Sequence, residues 1–140
     1  MLRALLIIPL LVVPVFVYFL LSALFGGTDW LHSTVVSLSL MSGVTLSITG
    51  GTVFLAVCVS TLFIEIVKSS NVGRQTLVNH GLSVVLLISC VVMFFSSKYF
   101  STNEFFLVVL ICLIDVVAGF VVTATAARRD FGQIGIDSDP

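Results

Sequence analysis

Four apolar stretches, each about long enough to cross a lipid bilayer, leave this chain little choice of fold. They cover about residues 5–25, 51–67, 77–95 and 105–127. A membrane-spanning helix needs about 20 mostly apolar residues. Backbone groups in lipid must find partners within the protein, and a helix does this within one segment. The pattern predicts an all-α membrane protein, a four-helix transmembrane bundle occupying residues 1–127, followed by a cytoplasmic tail, 128–140. Short loops between antiparallel helices give an up-down-up-down order. Charged residues make up only 9% of the chain, against about 25% in soluble domains. That is too few to cover a water-facing surface, so the lipid bilayer is the first expected partner.

The first stretch has a basic start at Arg3, as a signal peptide does. Its apolar run is too long for a signal peptide's hydrophobic core, and no A-x-A site follows, so it is read as a retained helix. Pro9 and Pro14 lie within it. Each removes a backbone donor and is expected to kink the helix.

Orientation follows from Lys and Arg in the loops, which favour the cytoplasmic side. With the N-terminus inside, that side carries Arg3, Lys68, Arg74, Arg128 and Arg129, and the outer side only Lys98. The prediction is N-in/C-in. Arg128 and Arg129 serve as interface anchors and a stop-transfer signal; two arginines fall short of a lipid-binding basic cluster. The tail beyond them is expected to leave the membrane and be disordered near its end.

The first outer loop is unusual. Over residues 36–49 apolar residues alternate with Ser and Thr on either side of Ser42-Gly43. Period two around a Gly-containing turn predicts a small extracytoplasmic β-hairpin. A lone hairpin is marginal in water, so its apolar face needs the bilayer surface or the helix ends beneath it. The rival reading is a re-entrant or short helix, against which Gly and Ser interrupt the run. Trp30, Tyr99 and Phe100 are placed as aromatic anchors at the outer interface. Ser101 or Thr102 is the expected cap of the fourth helix.

Few residues offer chemistry. Asp115 lies in the middle of the fourth stretch, and Gly119, Thr123 and Ala127 recur at four-residue spacing. An ionisable group at bilayer depth costs roughly 2.5–3.5 kcal/mol and faces the protein interior. Small residues at this spacing let helices approach closely. Asp115 is thus either a proton or ion site, or an inter-helix hydrogen-bonding group. Glu65 has Lys68 three residues on, a helical pairing distance. His80, beside Asn79, opens the third helix at the same depth, so a Glu65–His80 pair is either a proton relay or a loop anchor. Cys58, Cys90 and Cys112 sit inside apolar runs without CxxC spacing and read as small buried hydrophobes. No metal site or cofactor is expected. A b-type haem would need facing axial ligands, and this topology puts His32 and His80 on opposite sides. The net charge of −1 gives no global basic field for nucleic acid.

Three stretches resemble a group of small four-helix inner-membrane proteins of alphaproteobacteria with no assigned activity. They are MLRALLIIPLLVVPV, MSGVTLSITGG and IDVVAGFVVTATAARRDFG. The resemblance implies a bacterial cytoplasmic (inner) membrane location and no particular activity. It departs where the group is expected to carry an acidic residue beside the glycine opening the second helix; here Gly50 is followed by Gly51. The expected role is a non-enzymatic structural or accessory protein that associates with other membrane subunits or forms a homo-oligomer through the Asp115–Gly119–Thr123 face. The alternative is a small proton- or ion-coupled transporter or channel using Asp115.

Overall fold

The computed structural model describes residues 8–69 and 74–134. In chain order it contains α1 (Val12–Leu24), α2 (Asp29–His32), β1 (Thr34–Ser39), β2 (Thr45–Thr49), α3 (Gly50–Ser69), α4 (Arg74–Ser96) and α5 (Asn103–Ile134). Three segments are long and apolar enough to cross a membrane: Gly50–Ser69, Val78–Ser96 and Asn103–Thr125. α5 packs against both α3 and α4, and α2 against the start of α3.

α1 is shorter than the sequence predicts. It has 13 residues, about 20 Å at 1.5 Å per residue, and begins at Val12 rather than near Leu5. Residues 5–7 lie outside the described residues. Pro9 has no N–H and disfavours helical geometry in the residue before it. The Leu10 N–H is committed elsewhere, donating to Glu65 Oε2 at 2.9 Å. Pro14 falls in the first turn, where its missing N–H would have had no helical partner, so no kink is required of it. The helix ends before Gly26, whose φ of +65° suits the left-handed position after a helix C-cap.

α5 is longer than predicted. The boundary placed at Ala127 marks a change to polar composition, not the end of the helix, which continues to Ile134. Ala, Arg and Gln are good helix formers in water as in lipid. The disorder expected near the end of the tail falls on residues 135–140, outside the described residues.

The hairpin forms. β1 and β2 are antiparallel, with Val36 opposite Ile48, Ser37 opposite Ser47, Leu38 opposite Leu46 and Ser39 opposite Thr45. Thr34 pairs with Thr49, so Val35 is an extra residue bulged out of the ladder. The Leu40 N–H donates to the Val44 carbonyl at 2.9 Å, enclosing Met41, Ser42 and Gly43. Gly43 has φ +80°, the left-handed residue that a three-residue hairpin loop calls for. The rival short helix does not occur in this loop, although α2 lies just before it.

α1 is tied to the long helices by polar contacts at two levels. Near its start the Ile8 carbonyl and Leu10 N–H meet Lys68 and Glu65 on α3. At its middle the Tyr18 hydroxyl donates to the Tyr99 carbonyl at 3.0 Å and pairs with Thr102 Oγ1 at 2.8 Å, in the α4–α5 connection. Thr102 Oγ1 also accepts the Phe105 N–H at 3.1 Å, the cap expected of α5. Tyr18 is wholly buried among Trp30, Phe54, Phe100 and Phe105, with ring centroids 5.0–5.6 Å away. Phe100 is therefore core rather than an interface anchor. Trp30 is half-buried in the same cluster and donates to Ser22 Oγ at 3.4 Å. Tyr99 remains exposed, with Lys98 over its ring.

Candidate functional site

The residues that stand out chemically gather where α3, α4 and α5 meet, at the end of the bundle remote from the hairpin. Glu65 comes from the last turns of α3, some 21 Å from Gly51 at 1.5 Å per residue. Its side chain is 1% exposed. One oxygen accepts the Leu10 N–H; Lys68 Nζ donates to both oxygens, at 3.1 and 3.3 Å. Asn79 Nδ2 donates to Oε1. Lys68 Nζ in turn reaches the Ile8 carbonyl at 2.9 Å and Asn79 Oδ1 at 3.4 Å. The buried carboxylate is thus neutralised by a cation and surrounded by donors, the condition under which a buried ion pair is tolerated.

One turn beyond Asn79 on α4, Ser83 is buried with its hydroxyl beside the Asp115 carboxyl of α5. Asp115 is itself buried and lies within electrostatic range of Glu65, His80 and Lys68. His80 lies against Gly119: a Cβ at that position would overlap the imidazole ring. The structure therefore joins two groups that the sequence separated, Asp115 with Gly119 and Glu65 with Lys68 and His80. It also redistributes their partners. Asn79, not His80, bonds to Glu65, while His80 packs on α5.

Asp115 and Gly119 are buried against α4 of the same chain. Thr123 turns its hydroxyl back to the Gly119 carbonyl at 2.9 Å, within α5. The side chains of Arg128 and Arg129 lie outside the described residues.

Asn79, Ser83 and the backbone of Ile8 and Leu10 were not singled out from the sequence. Asn79 and Ser83 share a face at four-residue spacing, and both stand near the depth of Asp115; that was the available signal. Two clefts lie elsewhere. A groove of about 350 Å³ between α1 and α3 is lined by Val13, Val17, Val53, Val57 and neighbours, and one of about 230 Å³ by Phe19, Tyr99, Phe100 and others. Neither is lined by Glu65, His80 or Asp115. No group of three or more His, Cys, Asp or Glu placed to hold a metal ion occurs among the described residues.

No family model, curated protein or solved structure matches the chain.

Proposed function

We propose that this chain spans a bacterial cytoplasmic membrane four times, with both ends in the cytoplasm, as a structural or accessory subunit associating with other membrane proteins or with itself. One observation carries the proposal. The conspicuous polar groups at membrane depth are spent on contacts within the chain, while the outer surfaces of the helices present apolar side chains. Glu65, Lys68, Asn79, Ser83 and Asp115 hold α1, α3, α4 and α5 to one another. The hydroxyls of Ser60, Thr61, Ser89 and Thr125 bond carbonyls of their own helices, which suits them to lipid. Ile8 meets Lys68 at the end where α5 also finishes, which supports placing both termini on one side. The excess of Lys and Arg there supports calling that side cytoplasmic. The resemblance to alphaproteobacterial inner-membrane proteins supports the choice of membrane.

A second reading, proton- or ion-coupled transport, draws on the convergence of Asp115, His80, Lys68 and Glu65 from three helices. Tagged protein extracted from native membranes in mild detergent separates the two, wild type beside Asp115→Asn. A defined assembly of near-stoichiometric composition by native mass spectrometry, unchanged in the variant, is expected. A lone chain whose proteoliposomes carry a proton flux that Asp115→Asn abolishes would replace this reading with transport.

A further inference from the structure

The hairpin of β1 and β2 has an apolar face that the rest of the chain leaves uncovered. Its register puts Val36, Leu38, Leu46 and Ile48 on one side, with Ser37, Ser39, Thr45 and Ser47 on the other. Leu40 and Val44 extend the apolar side towards the tip. Val36, Leu38, Leu40, Val44 and Leu46 are 45–62% exposed, so the helix ends do not cover this face. A two-stranded hairpin standing in water is marginal. Exposed strands are usually guarded by charged side chains, lysine above all. Here no Asp, Glu, Lys, Arg or His occurs from Ser33 to Ile64.

The hairpin is also fixed in position. β2 ends at Thr49 and α3 begins at Gly50 with no intervening linker. The Gly50 N–H donates to the Ser33 carbonyl at 2.9 Å, closing the base. The strands therefore start at the level where α3 leaves the hydrocarbon, and reach roughly 16–20 Å at about 3.3 Å per residue. An uncharged amphipathic element tethered there meets lipid before any other apolar phase.

We infer that the hairpin lies in the outer membrane–water interface, its Val36–Leu38–Leu46–Ile48 face sunk among the lipid acyl chains and its Ser/Thr face towards water. Amphipathic elements of this kind seat their apolar side about 5–10 Å into the headgroup and acyl boundary. This rests on the proposed membrane topology and adds a lipid-contacting surface to it.

Spin labels on single introduced cysteines test the inference in phosphatidylcholine–phosphatidylglycerol liposomes. The native Cys58, Cys90 and Cys112 are buried, so labelling goes to the new sites. Leu38→Cys and Leu46→Cys report the apolar face, Ser37→Cys and Ser47→Cys the polar face, and Val59→Cys the exposed side of α3. The expected result is collision with oxygen at 38 and 46, with little access for a water-soluble nickel chelate, and the reverse at 37 and 47. Equal nickel access on both faces would overturn the inference, provided Val59→Cys still shows lipid contact. Water access at position 59 would instead sink the membrane topology and the inference with it. Spin–spin broadening at 38 and 46, lost on dilution with unlabelled protein, would assign the face to a second copy of the chain and overturn the lipid assignment.

Discussion

A carboxylate ringed by donors and almost wholly withdrawn from solvent is costly to remove, because its partners stay behind. Deleting one member of a buried ion pair destabilises by about 3–5 kcal/mol. Glu65→Ala is expected to lose stability on that scale in chemical denaturation from detergent micelles. Glu65→Gln, which keeps one acceptor oxygen where Glu65 offers one to Leu10 and another to Asn79, should lose less. The double variant Glu65→Ala/Lys68→Met should fall short of the sum of its parts, since each change removes the other's unpaired charge. Asp115 is a gentler case. Asn retains an oxygen for Ser83, so Asp115→Asn should shift stability by no more than about 1 kcal/mol, the net worth of a hydrogen bond. Asp115 and Glu65 were legible in the sequence because a charge in an apolar run announces itself. Asn79 and Ser83 were not, because a neutral polar side chain in a membrane helix commonly bonds its own backbone, as Ser60 and Ser89 do here.

Where two elements approach closely, a glycine marks the place, and its replacement reads out what it meets. At Gly50 an added Cβ would run into the Trp30 carbonyl of α2, a backbone atom that cannot turn aside. Gly50→Ala is therefore expected to cost about 1–3 kcal/mol, the usual range for overpacking, measured by thermal unfolding in detergent. At Gly119 the obstacle is the His80 side chain. Gly119→Ala should destabilise, and adding His80→Ala should recover much of the loss, a coupling read from a double-mutant cycle. The same contrast explains what could be read of the elements in advance. The hairpin was legible because alternation and a Gly turn are local signals. The bulge at Val35, the late start of α1 and the extension of α5 were not. α1 starts late because Leu10 gives its N–H to a residue more than 50 positions away. α5 continues because helical hydrogen bonds persist where hydropathy stops.

Across the whole molecule, α1 differs from the three long helices in how it is held. At about 20 Å it falls short of the roughly 30 Å hydrocarbon core, and its packing on α3 leaves an apolar groove between them. Polar contacts secure it just before its start and at its middle instead: Ile8 and Leu10 on Lys68 and Glu65, Tyr18 on Tyr99 and Thr102. Elements with few buried contacts open locally at lower free energy than the body of a fold. Tyr18→Phe keeps the ring in its aromatic cluster and removes only the hydroxyl, so packing is preserved and this tether is cut. The Tyr99 carbonyl then loses a donor in a part-buried setting, a cost of about 1 kcal/mol. If α1 is a separately held element, amide hydrogen exchange in the variant should quicken across Val12–Leu24 while α3, α4 and α5 keep their protection. Equal loss across all four helices would mean instead that α1 opens only with the bundle. The tether would then bear on global stability and not on α1 alone.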